Sequence, residues 1–147
     1  MQRHRPDRMY DFRTLSPIDF ELLVRDLLQA EFNITMESFG PGKDGGIDFR
    51  FAVADQGVVV QVKHHVEGGS RSLVRAAAKE DQKVLRLAPG RYILATSISL
   101  TPALKGKVIQ AMPSAPLCVG DVIGREDLNN LLDKHPHVLR QHFKLWL

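Results

Sequence analysis

A glycine-rich run, Gly40-Pro41-Gly42-Lys43-Asp44-Gly45-Gly46-Ile47-Asp48, is soon followed by Val58-Val59-Val60-Gln61-Val62-Lys63. The first delivers a carboxylate, Asp48, to the start of one predicted strand. The second sets an amide and an ammonium two residues apart on the next. Strand side chains alternate between faces, so Gln61 and Lys63 point one way while Val60 and Val62 point into a core. A carboxylate and an amide oxygen can hold a divalent cation, and a lysine beside them can contact a phosphate or activate water. Together these residue types serve metal-assisted cleavage of a phosphodiester.

That reaction needs a nucleophilic water, neutralised charge on the scissile phosphate and a proton for the leaving oxygen. Bound Mg²⁺ supplies the first two, prefers oxygen ligands and keeps several waters. Asp48 is the first expected ligand. The amide oxygen of Gln61 or the backbone carbonyl of Val62 supplies another, and Glu21 can approach from a helix. Lys63 then stabilises charge that grows in the transition state. Gly45-Gly46, directly before Asp48, allows close approach of backbone to a ligand. The competing explanations are a cross-hairpin salt bridge for Asp48 and Lys63, and for Glu21 a rim glutamate paired with Arg25 at i+4. Asp44 reads as a turn residue rather than a second acid.

The elements that must position these groups follow from periodicity. Residues 1–14 form a basic arm (Arg3, Arg5, Arg8, Arg13), and the domain runs over 15–147. Ser16-Pro17 caps a helix from Ile18 to about Glu31, with Phe20, Leu23, Val24, Leu27 and Leu28 on one stripe. Strands are predicted over Ile34–Phe39, Asp48–Val53 and Val58–Lys63. A tight turn centred on Asp55 and Gln56 would set Asp48 opposite Lys63 and Arg50 opposite Gln61. A helix opens at Gly68-Gly69-Ser70 and runs to Leu87, then a strand Arg91–Thr96 and a helix from Thr101-Pro102 to Met112. A fifth strand, Leu117–Val119, precedes helices Arg125–Lys134 and Pro136–Lys144. This order predicts an α/β fold, a mixed sheet of about five strands with helices on both faces.

The chain has 147 residues, one domain's worth, and a net charge of +3, with a pI near 9.2 that suits an anionic partner. Its single cysteine, Cys118, excludes a disulfide framework and a multi-cysteine zinc site, and its setting predicts a buried strand. His135, His137 and His142 fit capping and packing better than a zinc set. No apolar run approaches the ~20 residues of a membrane span, so a cytoplasmic protein is expected. Lys43, His64 and His65 adjoin the chemistry and are expected phosphate contacts. Arg71, Arg75, Lys79 and Lys83 recur every fourth residue, either following a phosphate backbone or forming a solvated face balanced by Glu80 and Asp81. Few aromatics are available for stacking single-strand bases.

Three segments carry a family resemblance: Phe20-Glu21-x-Leu23, Gly42-x-Asp44-Gly45-Gly46-Ile47-Asp48 and Gln61-Val62-Lys63-His64. They resemble the Mrr-type branch of the PD-(D/E)XK nuclease superfamily, which implies a restriction-endonuclease-like core of helix, three antiparallel strands, helix and strand. By the same resemblance Asp48 and Gln61 are metal-site residues, Lys63 is catalytic and Glu21 is the helix carboxylate. Glutamine at position 61 replaces the superfamily's acid, which is usual in this branch and removes one negative charge. Gly124-Arg125-Glu126-Asp127-Leu128, His135-Pro136 and Lys144-Leu145-Trp146 are similar to endonuclease domains that precede NTPase or sensor modules in bacterial anti-phage and restriction proteins. The implied activity is Mg²⁺-dependent (Mn²⁺ substituting) cleavage of double-stranded DNA. Cutting both strands needs two centres, hence a homodimer or higher assembly. The alternatives are a catalytically silent module that keeps the nuclease fold for DNA binding or assembly, and a nuclease directed at RNA.

Overall fold

In the computed structural model, which describes residues 9–38, 49–53, 56–64 and 68–147, Ser16 starts the first helix as its sequence requires. Its Oγ accepts from the Asp19 amide at 3.1 Å, and Pro17 takes the first helical position. Helix α1 (Pro17–Phe32) buries Phe20, Leu23, Val24, Leu27 and Leu28 on one stripe. It ends at Asn33 with φ 53°, a left-handed conformation asparagine tolerates. Phe12, in the segment expected to be an arm, is wholly buried in the same core. The Tyr10 amide donates to Asn129 Oδ1 at 2.6 Å.

The first strand is shorter than its apolar residues predict. The Ile34 amide donates to the Gln29 carbonyl and the Met36 amide to Gln29 Oε1, so donors that a ladder would need are already used. Only β1 (Glu37–Ser38) remains. Strand β2 (Phe49–Val53) runs antiparallel to β1 and to β3 (Gln56–Lys63). Strand β4 (Arg91–Thr96) is parallel to β3, and β5 (Val122–Ile123) parallel to β4. The sheet order is β1-β2-β3-β4-β5, a mixed sheet in which only β3, β4 and β5 are mutually parallel.

The β2–β3 turn and register, the fifth strand and Cys118 differ from expectation. Val53 pairs with Gln56, so Gln56 belongs to the strand and not to the turn, and Arg50 lies opposite Val59 rather than Gln61. The pairing expected between Asp48 and Lys63 lies outside the described residues. The fifth strand is Val122–Ile123, not Leu117–Val119, because a 3-10 turn at Val119–Asp121 intervenes. Asp121 holds that turn by accepting from the Cys118 amide and thiol, and it pairs with Arg91 at 2.9 Å. Cys118 is exposed rather than buried, and Asp121 raises its thiol pKa.

Helices cover both faces of the sheet. Helix α2 (Gly69–Leu87) and α3 (Pro102–Ala111) pack Leu73, Ala77, Val84 and Val108 against Val59, Tyr92 and Leu94. Helices α1, α4 (Arg125–Lys134) and α5 (Pro136–Gln141) pack on Val58, Val60 and Ile93 from the other side. The last helix stops before Lys144, and a 3-10 turn follows at Phe143–Leu145. His142 and His135 meet the α1 carboxylates Asp26 and Glu31 at 2.7 and 3.1 Å, tying the C-terminal helices to α1. Among the described residues, no cluster of three or more His, Cys, Asp or Glu side chains is set to hold a metal, and no helix is long and apolar enough to cross a membrane.

Candidate active site

Alternation along β3 sorts its side chains between the two layers. Val58 and Val60 enter the α1 core, and Val62 packs against it, half-buried; Val59 enters the α2 core. Gln61 and Lys63 share the Val59 side and so lie under α2. Gln61 is 5 % exposed. Lys63 Nζ donates to Glu80 Oε1 at 2.9 Å, with side-chain exposures of 22 % and 9 %. Lys83, one turn along α2, reaches the same oxygen at 3.7 Å. Lys63 stands beside Thr96 in the parallel register, and Thr96 is wholly buried. An amide, an ammonium, a carboxylate and a hydroxyl therefore converge where β3 and β4 end.

Glu80 and Thr96 were not anticipated as site residues. The signal for Glu80 was available: Leu73, Ala77, Glu80 and Val84 are spaced as one helical stripe, and the structure buries all four. A glutamate in an apolar stripe needs a cationic partner, and Lys63 is that partner. Asp81, one residue on, faces elsewhere and accepts from the amide and hydroxyl of Ser114, each at 2.9 Å.

Other expected site residues are distributed differently. His64 belongs to the α1 layer, where its ring stacks on Phe20 at 4.9 Å and its Nε2 lies 2.8 Å from the Leu15 carbonyl. A carbonyl only accepts, so Nε2 carries the proton; Nδ1 is buried without a partner among the described residues. Glu21 is half-buried on α1, next in sequence to Phe20 and in the layer across the sheet from Glu80. Arg71 and Arg75 are exposed on the first turns of α2. Asp48, Lys43 and His65 lie outside the described residues.

The loop after Thr96 is firmly held. Ser99 Oγ and the Leu100 amide donate to the Glu126 carboxylate at 2.7 and 3.1 Å. Burial opposes ionisation of Glu126, yet these donors keep its pKa below the usual glutamate value. Gly124 permits the close packing, since a Cβ there would lie 2.6 Å from Leu100 Cγ.

The side-chain oxygens on this face are the Gln61 amide and the Glu80 carboxylate. That chemistry suits a hard divalent cation such as Mg²⁺ better than a thiolate-seeking metal.

The mixed sheet thus sets Gln-x-Lys at the end of its central strand. The sequence profile of the restriction endonuclease family, in its Mrr-type catalytic form, matches residues 12–98, more than half of the chain. The chain belongs to that family, whose members generally use divalent metals. It is also 42 % identical over 137 residues to the uncharacterized protein y4cD of Sinorhizobium fredii (strain NBRC 101917 / NGR234). That similarity covers 93 % of this chain but 21 % of y4cD, so the chain spans about a fifth of the relative's length.

Proposed function

We infer that this chain is a metal-dependent endonuclease domain hydrolysing phosphodiester bonds of double-stranded DNA, with the restriction-endonuclease-like core of its family. The observation that carries the reading is the buried Gln61 amide beside the Lys63 ammonium on one face of β3.

In this reading Asp48, the Gln61 amide oxygen and the Val62 carbonyl would hold Mg²⁺ or Mn²⁺, and Glu21, in the α1 layer on the other side of the sheet, would have to reach round the end of β3 to join them. The bound cation supplies a low-pKa water and charge neutralisation at the scissile phosphate. Lys63 places its ammonium against the phosphate or attacking water, where it stabilises developing negative charge. Glu80 keeps that ammonium on the α2 side of the strand until substrate arrives. Lys43, His64 and His65 are proposed phosphate contacts, His64 after release of its bond to Leu15.

The wider proposal is a cytoplasmic restriction or anti-phage effector, active as a homodimer or larger assembly and joined to an NTPase or sensor module. The test is cleavage of supercoiled plasmid with Mg²⁺, Mn²⁺ or EDTA, comparing wild type with Asp48→Ala and Lys63→Ala. Metal-dependent nicking or linearisation lost in both variants is expected. An intact plasmid at high protein concentration, even with the chain fused to a dimerising coiled coil, would instead favour the catalytically silent module.

A further inference from the structure

Glu80 meets Lys63 at the end of β3, and the first turns of α2, ahead of Glu80, lie beside α3. Between these helices lies a groove of 390 Å³ whose rim carries Arg71, Arg75 and Lys107 over a floor of Val74 and Leu104. All three cations are exposed, and no carboxylate lines the groove or pairs with them among the described residues.

A second cavity of the chain has its cations neutralised. The larger cavity beside β5, of 440 Å³, also has three, but Arg91 pairs with Asp121, Lys105 with Asp127 and Lys134 with Glu31. The stripe expected along α2 likewise divides, for Lys83 turns to Glu80. Three unneutralised cations around one groove form a concentrated positive field.

We propose that the α2–α3 groove is a phosphodiester-backbone site that grips a nucleic-acid duplex beside the reacting phosphate, with Arg71, Arg75 and Lys107 as its contacts. The choice of polyanion rests on the nuclease reading. Along the α2 axis Arg75 and Arg71 lie about 7 and 14 Å beyond Glu80, at about 1.5 Å per residue. Backbone contacts of this kind set register without reading sequence.

The experiment measures affinity for a 20-base-pair DNA duplex by fluorescence anisotropy in EDTA, where no cleavage intervenes, from 50 to 200 mM salt. Wild type is compared with the triple variant Arg71→Ala/Arg75→Ala/Lys107→Ala and with Lys134→Ala, each checked for folding by thermal melting. Removing three phosphate contacts is expected to shallow the log–log salt slope by about 2.7, so wild-type affinity falls about 40-fold more than the variant's across this range. Lys134→Ala should keep the wild-type slope. An unchanged slope in a folded triple variant overturns the site, whatever the plasmid assay gives. Intact binding with a metal-independent lack of cleavage removes the nuclease reading but keeps the groove. An RNA-duplex arm separates the two sources of phosphodiester, and tighter binding of polyglutamate than of either duplex overturns the site in favour of an acidic protein partner.

Discussion

Lys63 and Glu80 are joined at 2.9 Å between the end of β3 and the buried stripe of α2. The pair couples the proposed chemistry to the packing of the helix that also carries the cationic groove.

Because Glu80 is nearly enclosed and Lys63 partly so, losing one partner strands the other in a poorly solvated place. Glu80→Ala is expected to destabilise by about 1–3 kcal/mol, discounted from the cost of a fully buried pair because Lys63 retains water contact. Lys63→Ala should cost less, since Lys83 remains at 3.7 Å from the same carboxylate oxygen. The double variant should lose less than the sum of the two, and urea titration of all four proteins gives the coupling directly. Additive effects would show that the pair contributes nothing. Glu80→Ala should also slow cleavage about tenfold to a hundredfold by misplacing the ammonium, while Glu80→Asp restores part of the rate.

Gln61→Glu asks what the missing acid would do. A carboxylate at a position 5 % exposed is costly without a cation, by about 1–3 kcal/mol, so melting in EDTA should occur at a lower temperature than wild type. With saturating Mg²⁺ or Mn²⁺ the variant should gain more in melting temperature than wild type does, because only the native state binds the ion tightly. Titration calorimetry with Mn²⁺ provides an independent affinity. Equal metal-induced shifts in the two proteins would argue against Gln61 as a ligand.

Much of this architecture was legible because local signals agreed. Ser16-Pro17 and Thr101-Pro102 cap the helices they were expected to cap, and the apolar stripe of α1 is the buried one. Where the reading went astray, a tertiary contact had claimed the backbone or the charge. Gln29 takes the amides that would have extended β1, and Asp121 folds residues 119–121 into a turn ahead of β5. By charge alone Glu80 reads as a counter-ion to a solvated face, one of two open readings of α2, whereas helical phase puts it in the buried stripe. Strand alternation sets His64 on the Val60 and Val62 side, but its stacking on Phe20 follows only from how α1 packs on the sheet.

Several carboxylates lose stability toward acid with a determinate sign. Hydrogen bonds from the Arg13 guanidinium and amide lower Asp11 to a pKa of about 2. Lys144 and Ser16 lower Asp19, and Lys134 and His135 lower Glu31. Burial acts against Glu126, but Ser99 and Leu100 outweigh it and lower that group too. A depressed native pKa means stability that is present above the unfolded value and lost as pH falls through the native one. For Asp11 the window lies between its ordinary 3.8 and about 2. The melting temperature should therefore hold from neutrality to about pH 5 and fall below it. Glu126→Gln and Asp11→Asn should each melt lower than wild type at pH 7 and show a shallower acid decline. A parallel decline in wild type and variants would remove those residues from the account.

Two backbone positions make opposite predictions about stability. Ala88 closes α2 with φ 44°, a left-handed conformation that costs a Cβ-bearing residue about 1 kcal/mol and costs glycine little. Ala88→Gly is thus expected to raise stability by up to about 1 kcal/mol, against a small loss from a more flexible unfolded chain. Gly124 has an ordinary extended backbone at φ −111°, so its constraint is space. A methyl group there would lie 2.6 Å from Leu100 Cγ, and Gly124→Ala should cost about 1–3 kcal/mol by overpacking. The clash would also push Leu100 from the position where its amide meets Glu126. Combining Gly124→Ala with Leu100→Ala, which empties the space, should recover part of the loss in urea titration. Without that recovery, the cost would have to be assigned to the α4 start rather than to the contact with Leu100.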